Sequence, residues 1–250
     1  MMQKNKKKWS DKKMEHIVIG IEGLVGSGKT SICRELLNRI PDSILFQGGN
    51  LYRGIVYAVM QRQKEKIEDV AVLQKSFSHI DIKKVMDILK VQLKIENRET
   101  VIYIDGQKVD EEELQSKENS MLVSVAGGAA DNTHLFEFAR TLINEMKKQY
   151  NLIVSGRALM EIYPDLDYHF LVTASLEERV NRKSKQYGYT TKKEKEALKA
   201  HIIKRDALQQ QAGFYKKYDK TIIVDVTDCK NVESSTNKLE TYIEEIPILA

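Results

Sequence analysis

Along the chain, short β-branched apolar runs alternate with longer segments whose apolar residues return every three or four positions. His16–Ile21 is a run of the first kind, and Thr30–Ile40 is of the second, with Ile32, Cys33, Leu36, Leu37 and Ile40 on one helical face. Ser43–Phe46 predicts a second strand, and a helix follows from about Asn50, carrying Leu51–Ala58. After a charged linker, Val70–Leu89 is again helical in pattern. Leu93–Glu96, Val101–Ile104 and Gln107–Val109 predict short antiparallel strands, the last two joined by the hairpin turn Asp105-Gly106, and together they read as an insertion outside the central sheet. Lys117–Ala126 and His134–Tyr150 predict helices. Leu152–Ser155, His169–Val172 and Thr221–Val226 are strand-like, and Leu176–Gln186, Lys193–Gln211 and Asn231–Ile243 helical, with a polar connection over Tyr187–Lys193. This alternation implies an α/β fold: a three-layer core around a central parallel sheet.

Length and charge sharpen that picture. A chain of 250 residues is long enough for one substantial core with inserted subdomains. No run of 18 apolar residues exists to span a membrane, and the apolar stretch after the Lys-rich start is interrupted by Glu22, so no cleaved leader is expected. Net charge is +4, yet Lys4, Lys6, Lys7, Lys8, Lys12 and Lys13 against Asp11 hold a local +5, leaving about −1 for the rest. Residues 1–15 are expected to be a disordered, solubilising tail, and the near-neutral body excludes nucleic acid as the expected partner. Cys33 and Cys229 form neither a disulfide framework nor a metal pattern, which suits the cytoplasm. The five histidines have no ligand spacing among them.

The candidate chemistry begins at Gly23-Leu24-Val25-Gly26-Ser27-Gly28-Lys29-Thr30, the pattern G-x-x-x-x-G-K-[ST] between the first strand and the first helix. Such a loop curls so that its N–H groups face phosphate oxygens and the helix dipole adds to them. Gly23, Gly26, Ser27, Gly28, Lys29, Thr30 and Ser31 are therefore the candidate ATP-binding set, with Lys29 at the β- and γ-phosphates and the Thr30 hydroxyl on Mg²⁺. Phosphoryl transfer then needs cations converging on the phosphates. Arg53 follows the second strand, Arg157 the strand ending at Ser155, and Arg179–Arg205 holds ten Lys/Arg against two Glu. Within it Arg179, Arg182 and Arg205 stand out, because guanidinium binds phosphate in a fixed fork. Asp105 and Asp225, each ending an apolar run, read as a turn residue and the close of the last strand rather than as metal-holding acids.

The order of these features resembles the cytidylate kinase family of P-loop nucleoside monophosphate kinases over roughly residues 16–245. The matching stretches are Leu51-Tyr52-Arg53, Asp105–Val109, Ser155-Gly156-Arg157, Tyr163-Pro164-Asp165, Leu171–Arg179 and Lys204-Arg205-Asp206. The resemblance implies a core of residues 16–46 and 151–245, an acceptor-binding insertion of about 47–130 and a lid of about 183–195. It also implies that Gly49, Arg53 and Arg157 hold the acceptor, that Arg157, Arg182 and Arg205 join Lys29 in catalysis, and that Arg179 contacts the donor. Ala158, Gly48, Gln209 and Ala212 stand where the family carries aspartate, serine, aspartate and arginine, so the donor machinery is kept while acceptor recognition is rewritten. CMP or dCMP is the first-choice acceptor, another nucleotide or a small-molecule hydroxyl the alternative, and Glu161 and Asp165 the nearest carboxylates for a hydroxyl. A nucleotide-binding switch with little turnover is the rival of another class; a monomer or homodimer is expected.

Overall fold

The computed structural model describes residues 16–62, 82–116, 119 and 133–243; the lysine-rich tail, most of the expected Val70–Leu89 helix and Lys117–Ala126 lie outside them. Strands β1 (Val18–Gly23), β2 (Ser43–Gln47), β3 (Val91–Glu96), β4 (Glu99–Ile104), β5 (Gln107–Lys108), β6 (Asn151–Ser155), β7 (Tyr168–Thr173) and β8 (Thr221–Asp225) form one sheet in the order β3-β4-β2-β6-β1-β7-β8, with β5 beside β4. The run from β2 to β8 is parallel throughout. The helices are α1 (Lys29–Arg39), α2 (Gly48–Arg62), α3 (Ile82–Leu89), α4 (Glu111–Leu114), α5 (Thr133–Lys147), α6 (Leu159–Ile162), α7 (Leu176–Tyr187), α8 (Lys192–Gln211) and α9 (Val232–Glu240).

Strand alternation divides the apolar residues between two cores. Val18, Ile44, Phe46, Leu152 and Val154 face one way, onto Leu51, Ile55 and Ile143 of α2 and α5. Ile19, Ile21, Leu45, Ile153, Phe170 and Val172 face the other, onto Ile32, Leu36 and Leu239 of α1 and α9. Both faces are covered, so the central strands are continuous apolar runs. A smaller cluster of Val180, Leu198 and Ile202 holds α7 against α8.

Register sets the three functional loops side by side. Ser155 pairs with Ile21 on one side and Gln47 on the other, so β2 and β6 end together and β1 runs two residues further, to Gly23. Their next residues are the glycine-rich loop, the α2 N-terminus and Gly156-Arg157. Ligands sit at such carboxyl ends in open parallel sheets.

Three expectations are corrected. The β3–β5 strands are not an insertion apart from the sheet, because β4 runs parallel to β2 through Leu45 and Glu99 and extends it. The α2 helix begins at Gly48 rather than near Asn50. The polar connection over Tyr187–Lys193 shrinks to Gly188–Thr191, since α7 closes on left-handed Gly188 and α8 opens with a Thr191/Glu194 capping box.

Candidate active site

The loop after β1 turns tightly enough to require glycine at two places, Gly26 (φ 81°) and Gly28 (φ 94°). A Cβ at Gly26 would stand 3.1 Å from the Arg179 carbonyl, so the loop backbone lies directly on α7. Lys29 leaves the first turn of α1 and donates to Ser155 Oγ at the end of β6. Burial above all, then the nearby Arg157 and Arg53 guanidinium groups, hold the Lys29 ammonium below its ordinary pKa, while Cys33 and Glu22 oppose them.

Facing this loop is a set of cations that repel one another. Arg53 is pushed down to about 10 by burial and by the fields of Arg157 and Arg205. Arg205 is lowered by burial and by Arg157, and Lys183 by burial and by Arg205 and Arg53. The Nε atoms of Arg53 and Arg205 are buried without a hydrogen-bond partner. Lys29, Arg53, Arg157, Lys183 and Arg205 all line a single cleft of about 930 Å³, as do Gly23, Gly26, Gly28, Thr30, Ser31 and Gly49. Like charges buried together with orphaned donors are a site built for a polyanion.

The Arg53 side of the cleft rests on a polar chain that no sequence pattern signals. Arg34 forks onto Glu99 at 3.0 and 3.2 Å and also reaches Glu111. Glu99 accepts from Gln47 Nε2 at 2.9 Å, Gln47 Oε1 accepts from Asn50 at 3.0 Å, and Asn50 Oδ1 accepts from Arg53 at 3.3 Å. A Cβ at Gly49 would come within 3.2 Å of the Arg53 guanidinium, which accounts for glycine there.

Not every expected residue faces the cleft. Arg179, expected to contact the donor, is buried with Nε on Ala174 O (3.1 Å) and Nη1 on Val25 O (3.1 Å) and Asp206 Oδ2 (2.6 Å), away from the lining of the cleft. Arg182 borders the cleft, but it donates to Glu178 (2.8 Å), Ser27 O (2.9 Å) and Val226 O (2.7 Å), which makes it a tie under the loop. The Ser27 side chain is buried; its carbonyl is what Arg182 holds. Lys183, one residue beyond Arg182, is the cation of α7 that shares the fields of Arg53 and Arg205. Sequence reasoning missed it because a lysine inside a lysine-rich helix carries no distinguishing signal.

A glycine-rich loop at the head of a parallel sheet, a buried lysine and convergent guanidinium groups define a P-loop phosphotransferase. Comparison with known proteins narrows the class: the family model for cytidylate kinase matches residues 19–245. The cytidylate kinase of Clostridioides difficile (strain 630) is 24% identical over 242 residues, covering 93% of this chain and 97% of that protein. That of Aquifex aeolicus (strain VF5) is 29% identical over 233 residues, covering 91% and 96%. A crystal structure of an uncharacterized protein from Eubacterium ventriosum ATCC 27560 is similar over 91% of this chain and 98% of that one, with a TM-score of 0.44 and 15% identity. The chain belongs to the cytidylate kinase family and is an ATP-dependent kinase. No helix among the described residues is long and apolar enough to cross a membrane.

Proposed function

We propose that this chain transfers the γ-phosphoryl group of ATP to a nucleoside monophosphate in the cytoplasm, with CMP or dCMP as the first-choice acceptor. The observation that supports this most is the convergence of Lys29, Arg53, Arg157, Lys183 and Arg205 on one cleft, two of them with orphaned buried Nε donors. In this reading the loop residues Gly23–Ser31 hold the donor phosphates, Lys29 stabilises charge between the β- and γ-phosphates, and Lys183 and Arg205 stabilise the transferred group. Mg²⁺, which the Thr30 hydroxyl would hold, supplies charge neutralisation when bound. Arg53 and Arg157 grip the acceptor phosphate from the α2 and β6 sides. One acceptor oxygen attacks the γ-phosphorus, the bond to the ADP oxygen breaks, and no side-chain base is required because a phosphate oxygen is already nucleophilic. The α7–α8 hairpin, with its own small core, is the lid, and its closure would exclude water.

A phosphate acceptor fits better than a hydroxyl. Glu161 and Asp165, the carboxylates closest to Arg157 in sequence, do not line the cleft, Glu161 being paired with Lys216 at 3.3 Å, and of the carboxylates that do, Glu111 is paired with Arg34 and Glu178 with Arg182. Ala158, in the left-handed region at φ 53°, offers no side-chain hydrogen bond to a base, which supports a relaxed choice among nucleotides. Steady-state kinetics of Arg53→Ala with CMP test the assignment: the acceptor KM should rise at least tenfold with the ATP KM within about twofold. Equal rises in both constants, or neither, would contradict it.

A further inference from the structure

Helix α8 does not simply end behind Arg205; it reverses. Phe214 N–H donates to Gln209 O and Gly213 N–H to Gln210 O, both at 3.0 Å, with Gly213 left-handed at φ 77°. This Schellman cap turns the chain back over its own last turn. The next residue, Tyr215, is also left-handed at φ 63°, a conformation a tyrosine adopts only when its surroundings hold it there. Its hydroxyl donates to Oε1 of the buried Gln209, which ties the segment to the end of α8, and the Arg157 charge lies close enough to act on it. Burial raises the Tyr215 pKa, so the hydroxyl keeps the proton it donates. The Phe214 ring lies 5.7 Å from the centre of the same guanidinium, and Lys216 fastens the segment to Glu161 at 3.3 Å.

We propose that Phe214 and Tyr215 are positioning residues that fix Arg157 for the acceptor phosphate. An arginine side chain loses several rotatable bonds' worth of entropy when it grips a ligand. Here the ring of Phe214 restrains the guanidinium, and the bond from Tyr215 to Gln209 holds that ring in place, so Arg157 meets the phosphate already oriented. The backbone strain at Tyr215 is stored for that purpose. Neither side chain needs to touch the reacting atoms, and the proposal rests on the reading of Arg157 as an acceptor-phosphate ligand.

The test is a double-mutant cycle of Tyr215→Phe and Arg157→Ala, measured with CMP and ATP, with Phe214→Leu as a second probe. Tyr215→Phe, which frees the segment carrying Phe214, should raise the acceptor KM about fivefold, the scale of one neutral hydrogen bond, leave the ATP KM within twofold, and have almost no effect once Arg157 is alanine. A Tyr215→Phe effect that is absent, or equally large in the Arg157→Ala background, overturns the positioning role alone. An acceptor KM unmoved by Arg157→Ala itself overturns the acceptor reading and this proposal with it. ¹⁵N spectra of the arginine side chains give a readout free of turnover. The Arg157 Nε–H signal, assigned by its loss in Arg157→Ala, should be sharp in the wild type and broadened by rapid water exchange in Tyr215→Phe; an unchanged signal contradicts the proposal.

Discussion

Arg53 and Lys29 are positively charged side chains kept where positive charge is disfavoured, and that cost opposes folding. Arg53, held down at about 10, below the ordinary guanidinium range, is charged in both folded and unfolded chains at neutral pH. Its penalty to folding is therefore full below pH 10 and fades only as pH rises through the depressed folded value. Arg53→Met should stabilise the chain by about 1–3 kcal/mol, or roughly 2–4 °C in Tm per kcal/mol, while weakening acceptor binding. Calorimetry of the two proteins without ligand checks it, and a lower Tm for the variant would contradict the account. Lys29→Ala should abolish turnover, and retained full activity would contradict the role of the loop. The positions of Lys29, Arg53 and Arg157 were legible in the sequence because each follows a strand end or lies in a spaced motif. The Lys29–Ser155 bond and the Gln47–Glu99 link were not, because their partners are set by strand register rather than by neighbouring residues. Nor could sequence separate Arg179 and Arg182, turned inward on carbonyls, from Lys183, turned toward the cleft.

Elements carry the next layer of meaning. Arg179 of α7 joins the carbonyl of Val25 in the phosphate loop to Asp206 of α8, beside Arg205, so the loop and the hairpin share one buried strut. Arg179→Ala leaves the Asp206 carboxylate and two carbonyls without their donor and should destabilise the chain by about 3–5 kcal/mol. Denaturant unfolding reads that loss directly; a change below about 1 kcal/mol would show the strut to be replaceable. The β3–β4 turn is a contrasting case, with Asn97 (φ 49°) and Arg98 (φ 64°) both left-handed. Hairpin turns of this kind favour Asn-Gly, so Arg98→Gly should raise stability by about 1 kcal/mol, with activity untouched. An arginine in that position hid the turn from sequence reading, whereas Asp105-Gly106 announced itself. The attachment of β4 to β2 was hidden for another reason: it rests on Leu45↔Glu99 and the 2.8 Å bond from Leu45 N–H to Arg98 O, which periodicity does not encode.

At the scale of the whole molecule, two apolar cores fix a parallel sheet in which β2 and β6 end level and β1 runs two residues further, and that arrangement assembles the cleft. Each strand contributes a loop: one curled for the donor phosphates, two bearing the arginines assigned to the acceptor. The parallel core was readable because strands buried on both faces are apolar throughout, and the identity of the acceptor was less so because Ala158 and Gln209 break the family pattern. The central claim, phosphoryl transfer from ATP to a nucleoside monophosphate, is tested most directly by ADP release. Purified protein, ATP and Mg²⁺ are incubated with CMP, dCMP, UMP, AMP and GMP in turn, with Lys29→Ala as the control. ADP release should rise at least a hundredfold over the acceptor-free rate with one or more of these, CMP or dCMP foremost, and vanish in Lys29→Ala. Slow ADP release that no nucleoside monophosphate accelerates would contradict the account.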